Sequence, residues 1–257
     1  MLELKGIEKI YNPGTVNEIC LFKDFDFTVA DGEFVSIVGS NGSGKTSLLN
    51  IICGSIPVNG GEILINGENI NAFPEYKRYR RIGRVYQNPS MGTCPNMTML
   101  ENLSLADNKG KRYGLGGGIN KKREGFYKEQ LASLGLGLES KMDIKLGALS
   151  GGQRQAVSLI MATLTPIDFL ILDEHTAALD PKTAELIMQL TDKVIKEKNL
   201  TALMVTHNLR YAVEYGSRLI MMDKGHLVID KSGEEKQGLT VDDVLSTFNK
   251  ISIECGN

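Results

Sequence analysis

The chain has 257 residues, of which 42% are hydrophobic and 23% are charged, and its formal net charge is -2. This length and composition predict one large domain with a full hydrophobic core, and the small net charge excludes a global attraction to nucleic acid. The longest apolar runs, such as Phe34–Val38, are strand-sized, whereas a spanning helix needs about 20 residues. The N-terminus lacks the pattern of a secretory signal, and no two cysteines form a CxxC pair. We therefore expect an intracellular protein without a disulfide framework or zinc site.

Hydrophobic periodicity predicts strands in the first third of the chain and alternating helices and strands later. The predicted elements, in chain order, are strands at Leu2–Ile7, Leu21–Val29, Phe34–Val38 and Glu62–Ile65, a helix ending near Cys53, a strand at Phe169–Asp173, a helix at Lys182–Lys198, a strand at Ala202–Val205 and a short final helix at Leu239–Ile251. Strands that alternate with helices predict an α/β fold with a mostly parallel sheet. We expect an N-terminal antiparallel β subdomain, a core formed by residues 1–87 and 155–257, and an inserted α-helical subdomain at residues 88–154.

A glycine-rich segment between the buried strand at Phe34 and the following helix fits the pattern G-x-x-x-x-G-K-[ST]. Its members, with the next residue, are Gly39, Ser40, Asn41, Gly42, Ser43, Gly44, Lys45, Thr46 and Ser47. Glycines in this setting turn successive N–H groups towards an anion, and the helix adds its positive dipole end. We expect Lys45 to reach the β- and γ-phosphates of ATP and Thr46 to offer its hydroxyl to Mg²⁺. The alternative is a glycine-rich turn that matches by chance.

Two carboxylates, Asp173 and Glu174, end the apolar strand that begins at Phe169. In a P-loop protein, the first can hold the Mg²⁺ shell and the second can polarise an attacking water. A strand that ends in two acids is common and often only meets solvent. The P-loop in the same chain favours the catalytic interpretation.

The segment Leu149-Ser150-Gly151-Gly152-Gln153 has the pattern of a helix start, with Ser150 at the cap and an apolar stripe after it. LSGGQ between a P-loop and an LDE strand resembles the nucleotide-binding domain of ABC transporters, over nearly the whole chain. The resemblance implies a P-loop NTPase core that hydrolyses ATP with Mg²⁺.

The same resemblance assigns further residues. Gln87 corresponds to the Q-loop glutamine, which senses the γ-phosphate and the permease, and Asp180 corresponds to the D-loop. His207 corresponds to the switch histidine, and Tyr11 to an aromatic that stacks on adenine. The implied catalytic set is Glu174, His207, Lys45 and Gln87. The implied metal set is Thr46, Gln87 and Asp173.

One position departs from the family, since His175 stands where most members carry proline. Its imidazole could titrate near neutral pH beside Glu174, or it could be a structural residue. The string DEHTAALDP, together with YNPGTVNE, also resembles importer ATPases that work with a ribose-permease-like membrane subunit and an extracytoplasmic binding protein, some of them in amino-acid uptake.

The resemblance further implies a homodimer in which each ATP lies between the P-loop of one chain and Ser150–Gln153 of the other. The implied location is the cytoplasmic face of the membrane. The segment after Gln87 would receive a permease helix, with Met91, Met97, Met99 and Leu100 as its apolar lining or as interior packing. A basic cluster (Lys109, Lys111, Arg112, Lys121, Lys122, Arg123) is read as a solvated loop or as a contact with anionic lipid.

Other functions remain open at this point. A DNA-repair or chromosome ATPase would carry long insertions between the P-loop and LSGGQ, and a translation ATPase would carry two cassettes. A non-transport cassette of the iron–sulfur assembly or cell-division type, or one for export or lipoprotein release, would share the motifs seen here.

Overall fold

A computed structural model describes residues 1–111 and 117–254, with side chains through residue 250. The sequence predicts a flexible loop at the glycine-rich run Gly114–Gly118, which falls mostly outside the described residues, as do Arg112 and Cys255. The chain divides into two compact units. The first comprises Met1–Tyr79 and the segment from Asn199 onward, and the second comprises Arg80–Lys198.

The elements follow one another in this order: β1 (Leu2–Tyr11), β2 (Ile19–Val29), β3 (Phe34–Gly39), α1 (Lys45–Cys53), β4 (Gly60–Ile65), β5 (Glu68–Asn69), α2 (Glu75–Arg78), β6 (Ile82–Val85), α3 (Met99–Asp107), α4 (Glu124–Ala132), α5 (Gly151–Ala162), β7 (Phe169–Asp173), α6 (Pro181–Glu197), β8 (Ala202–Val205), α7 (Leu209–Glu214), β9 (Arg218–Asp223), β10 (His226–Ser232), α8 (Gly233–Gln237) and α9 (Val241–Glu254).

Two sheets form the first unit. The antiparallel one has the order β2-β1-β4-β5, and its strands alternate buried and exposed residues because one face is solvated. In the other, β3 pairs in parallel with β8 and β9, and β10 pairs antiparallel to β9. Every residue of β3 is buried, which explains its mostly apolar sequence, and the hydroxyl of the buried Ser36 donates to the carbonyl oxygen of Tyr215 at 3.1 Å. α7 and α9 add Ala212 and Val244 to a core with Val38 of β3.

In the second unit, β6 and β7 pair in parallel and the remaining elements are helical. α6 begins at an Asp180 cap followed by Pro181, and its apolar residues recur on one face. α5 begins at Ser150 and buries Val157 and Ile160.

The predicted α/β class is confirmed, with its antiparallel N-terminal sheet and parallel pairing around β3. The strands predicted at Phe169–Asp173 and Ala202–Val205 have those bounds, and the long helix begins one residue earlier than predicted. β6, β9 and β10 were not predicted. The division of the chain at residues 88 and 154 stays a prediction.

Candidate active site

The glycine-rich segment of the first unit connects β3 to α1, as predicted. Lys45 begins α1 and is 5% exposed. Its ammonium donates to the carbonyl oxygens of Gly39 and Ser40, both at 2.8 Å, and to the hydroxyl of Ser43 at 3.3 Å. Through these contacts the loop surrounds the lysine ammonium. The next residue, Thr46, is exposed. Asn41 and Gly42 are exposed as well.

Two glycines of this loop show why other residues would not fit. Gly39 has φ 156°, and a Cβ there would lie 2.3 Å from the carbonyl oxygen of Met222. Gly42 has φ 81°, and a Cβ there would meet nothing within 4 Å, so its backbone conformation alone requires glycine. A left-handed glycine in open space beside a helix start fits a cradle of N–H groups for phosphate.

Tyr11 and His207 also belong to the first unit. The hydroxyl of Tyr11 donates to Ser47 Oγ at 3.0 Å, and the ammonium of Lys9 lies 4.9 Å from the ring centroid. The tyrosine is therefore fixed against α1 and Lys9, with its side chain half-buried. His207 follows β8 and is exposed. Asn208, directly after it, caps α7 by accepting from the N–H of Tyr211 at 3.2 Å.

The two carboxylates belong to the second unit, at the end of β7. Asp173 Oδ2 accepts a hydrogen bond of 2.6 Å from Arg84 Nη2. Glu174 has φ 47°, a left-handed conformation that is uncommon outside glycine and costs roughly 1–3 kcal/mol. A strained residue directly after Asp173 supports a functional interpretation of Glu174. Gln87, two residues after β6, is exposed.

The LSGGQ segment starts α5 with a complete capping box. Ser150 Oγ accepts from the N–H of Gln153 at 3.3 Å, and the N–H of Ser150 donates to Gln153 Oε1 at 3.2 Å. A Cβ on Gly152 would lie 2.2 Å from Thr183 Cγ2, so this glycine permits close packing of α5 on α6. A Cβ on Gly151 would lie 3.3 Å from Leu179 Cδ2, in the segment that precedes Asp180. The second unit thus brings the LSGGQ and D-loop segments together.

Asp180 also has a structural role, because its Oδ1 accepts from the N–H of Thr183 at 3.1 Å and caps α6. Hydrogen bonds from Thr183 hold the pKa of Asp180 below its usual value. The carboxylate of Asp180 is therefore exposed, and its hydrogen bond to the N–H of Thr183 fixes its orientation.

Of the two interpretations of His175, the structural one fits the geometry, and titration near neutral pH does not. The residue is 2% exposed, and burial lowers its pKa to about 4. Its Nε2 lies 3.1 Å from Thr191 Oγ1, which itself donates to the carbonyl oxygen of Ile187 at 2.7 Å. Because the Thr191 proton is engaged, the histidine Nε2–H is the donor. His175 is a neutral structural residue that joins the Glu174 segment to α6.

The two interpretations of the apolar residues after Gln87, groove lining and interior packing, apply to different members of the set. Met99 and Leu100 are buried in the second unit, at 0% and 8% exposure, so they pack inside and do not line a groove. Met91 is 70% exposed, and Met97 is half-buried.

In the basic cluster, Lys109 is half-buried and not a freely solvated side chain. Its ammonium donates to the carbonyl oxygen of Ile82 at 2.9 Å, and burial lowers its pKa to about 8. Lys111 and Arg123 both pair with the buried Asp107.

Hydrogen bonds to residues outside the motifs support the segments that carry them. Gln155 Nε2 of α5 donates to the carbonyl oxygen of Tyr86 at 2.9 Å, directly before Gln87. Ser40 Oγ donates to Asp223 Oδ1 at 3.2 Å. Sequence reasoning missed these residues and Arg84, although a charged residue inside the short apolar strand β6 was a detectable signal.

The candidate residues have donor types that suit a magnesium nucleotide. Thr46, Gln87 and Asp173 supply hydroxyl, amide and carboxylate oxygens, which Mg²⁺ prefers. Among residues 1–111 and 117–254, no three His, Cys, Asp or Glu side chains cluster in a way that could hold a metal by themselves. In the same residues, no helix has the length and apolar character of a membrane span.

Comparisons with known proteins identify the family to which this chain belongs. Residues 22–177 match the family model described as ABC transporter. The tyrosine transport ATP-binding protein of Clostridioides difficile is 50% identical, over 96% of this chain and 98% of its own length. The lipoprotein-releasing system ATP-binding protein LolD 1 of Caulobacter vibrioides is 33% identical, over 87% and 93%. The phosphonates import ATP-binding protein PhnC of Lactococcus lactis is 31% identical, over 95% and 98%.

A solved dimeric ATP-binding cassette in a post-hydrolysis state, bound to ADP and Pi, is similar in structure as well. Its TM-score is 0.75 and its identity 33%, over 90% of this chain and 98% of that one. The chain therefore belongs to the ABC transporter family and is an ATP-binding, ATP-hydrolysing subunit of that family.

Proposed function

We propose that this ATPase powers the import of tyrosine or a related amino acid through a separate membrane permease. The observation that carries the proposal is the 50% identity, over almost the full length, to a tyrosine transport ATP-binding protein. The relative named for lipoprotein release is 33% identical, which favours uptake of a small solute. The permease would be of the ribose-permease-like type, with an extracytoplasmic binding protein that delivers the solute.

Within the nucleotide site, each residue would act by position and charge. Lys45 would exchange its contacts with Gly39 and Ser40 for the β- and γ-phosphates. Thr46, Gln87 and Asp173 would hold Mg²⁺, which neutralises phosphate charge. Glu174 and His207 would orient the attacking water, and Tyr11 would support the adenine ring.

Two copies would complete each site. Ser150–Gln153 of a second copy would meet the γ-phosphate with the N-terminal end of α5, where unpaired N–H groups and the helix dipole favour an anion. Asp180 at the start of α6 would lie near this contact. Cleavage of the γ-phosphate would remove the contact, and reopening of the dimer would drive the permease.

The permease would dock on the segment that follows Gln87. The exposed Met91 offers it an adaptable apolar contact, whereas Met99 and Leu100 support the segment from inside. Such docking would place the chain at the cytoplasmic face of the membrane.

Uptake of radiolabelled tyrosine by intact cells tests this function. Deleting the gene should reduce high-affinity uptake, the wild-type gene should restore it, and a Glu174→Gln gene should not. Uptake of an unrelated labelled sugar is the control, and it should stay unchanged. Normal tyrosine uptake in the deletion strain, with either impaired lipoprotein release or no transport defect, would contradict the proposal.

A further inference from the structure

An arginine of β6 holds the aspartate that ends β7. Arg84 Nη2 donates to Asp173 Oδ2 at 2.6 Å, and the two side chains are only 7% and 17% exposed. In the parallel register of these strands, Arg84 lies opposite Ile171. Asp173 is two residues further along β7 and therefore shares the face of Ile171. The ion pair thus connects two adjacent strands on one face of the sheet.

The arginine is itself held in place. Its guanidinium carbon lies 4.7 Å from the centroid of the Tyr86 ring, a cation–π distance. The carbonyl oxygen of Tyr86 accepts from Gln155 of α5, so the ring belongs to a segment anchored by a further hydrogen bond. A guanidinium stacked on an anchored ring has little freedom to follow a moving carboxylate. It therefore acts as a fixed point for Asp173.

We propose that Arg84 is a positioning residue that keeps the Asp173 carboxylate oriented for Mg²⁺. The inference rests on the proposed role of Asp173 as a metal ligand. One carboxylate oxygen, Oδ2, accepts from the arginine, which fixes the rotation of the group and leaves the direction of Oδ1 defined. Ligating carboxylates are commonly held in this way, and losing the supporting hydrogen bond typically weakens metal affinity about 10–100-fold.

Two other effects could dominate instead. The positive charge of Arg84 repels a cation directly, so its removal would strengthen metal binding if repulsion were the larger effect. The ion pair could also serve only to join the strands. The chain contains a matched control for that possibility, because Arg81 Nε donates to Asp168 Oδ2 at 2.5 Å. Arg81 and Asp168 directly precede β6 and β7, so this pair joins the opposite ends of the same strands.

The experiment measures binding of a fluorescent ATP analogue to the full chain in excess MgCl₂ and in EDTA. The ratio of the dissociation constant in EDTA to that in Mg²⁺ reports the contribution of the metal. Arg84→Met should lower this ratio about tenfold or more, with little change in the EDTA value. Arg81→Met should leave the ratio unchanged. Its thermal midpoint should fall by about as much as that of Arg84→Met, because each variant loses one ion pair that joins these strands. Arg84→Lys, which keeps the charge on a more flexible stem, should give an intermediate ratio.

The outcomes separate the proposal from its premise. An unchanged or increased ratio in Arg84→Met, or an equal decrease in Arg81→Met, would overturn the positioning role. If Arg84→Met does not fold, a wild-type ratio in Arg84→Lys would overturn it as well. Asp173→Asn tests the premise, because a variant that keeps the wild-type ratio shows that Asp173 does not bind the metal. A lowered ratio in Asp173→Asn beside a normal one in Arg84→Met would remove only the role of Arg84.

Discussion

Arg78 closes the C-terminal end of the helix that begins at the P-loop. Its guanidinium donates to the carbonyl oxygens of Ile51 and Ile52 in α1, at 2.9 and 3.1 Å, and to those of Phe73 and Asn71, both at 3.0 Å. The residue is 5% exposed. The last carbonyls of a helix have no partner within it, so Arg78 supplies donors there. The carbonyl oxygen of Ile51 also accepts from the N–H of Gly54 at 3.1 Å, so Ile52 depends more on the arginine.

Replacing Arg78 by methionine keeps an apolar stem of similar size and removes every donor. Each buried acceptor left without a donor costs about 1–3 kcal/mol. Burial lowers the pKa of Arg78, so part of this cost is offset because a buried charge is also removed. We expect a net loss of about 2–3 kcal/mol in the free energy of unfolding, because more than one neutral carbonyl loses its donor and no unpaired charge is left behind.

Urea denaturation followed by circular dichroism measures this loss. Arg210→Met is the control, because Arg210 is 60% exposed and its pairing with Glu214 spans 3.8 Å on the surface of α7. That variant should lose less than about 1 kcal/mol. An Arg78→Met protein that loses less than about 1 kcal/mol would refute the capping argument.

Further predictions concern the site and its supports. Lys45→Ala should abolish tight ATP binding, measured by isothermal titration calorimetry, because the ammonium that faces the phosphates is lost; binding at the wild-type affinity would contradict its role. Ser150→Ala should lower stability by about 1 kcal/mol through loss of the α5 cap, and thermal unfolding decides this. Ser150→Arg should leave ATP binding to the isolated chain intact and abolish hydrolysis; a normal hydrolysis rate would argue against sites shared between two copies. His175 should make stability depend on pH: its pKa is about 4 when folded, against an ordinary value near 6.5, so its contribution is complete above pH 6.5 and decreases as the pH falls towards 4. Between pH 8 and pH 5, the free energy of unfolding should therefore fall by about 2 kcal/mol more in the wild type than in His175→Gln. Equal decreases in the two proteins would contradict the burial of a neutral His175.

The motifs were predictable because each is a short run of residues whose types are required by one local backbone structure. The P-loop requires glycines at left-handed positions between a strand and a helix, and the LSGGQ segment begins with a capping residue. Both features lie within a few residues of sequence. The helix α6 was placed within one residue because an Asp180 cap and Pro181 define its start.

The supporting contacts could not be predicted, because they join residues far apart in sequence. Arg84 and Asp173 are separated by 89 positions, and only the pairing of β6 with β7 brings them together. Lys109 has polar neighbours and was therefore predicted to be solvated. In the fold, its ammonium donates a hydrogen bond to the carbonyl oxygen of Ile82, 27 positions earlier. For His175 the sequence left titration and a structural role open, and only its burial in the fold decides for a neutral structural residue.

We propose that Glu174 drives hydrolysis of an ATP held between two copies of the chain. Glu174→Gln keeps the shape of the side chain and removes the carboxylate, so ATP contacts remain while the chemical step slows. Losing a few kcal/mol of barrier reduction corresponds to roughly a hundredfold slowing, since each 1.36 kcal/mol is a factor of ten.

Size-exclusion chromatography with light scattering, run beside an ATPase assay, is the direct test. Glu174→Gln should hydrolyse ATP at least about a hundredfold more slowly than the wild type, form a dimer with ATP, and return to monomer with ADP. A Glu174→Gln protein that hydrolyses ATP at the wild-type rate and stays monomeric with ATP would contradict both the catalytic role of Glu174 and the ATP-dependent dimer.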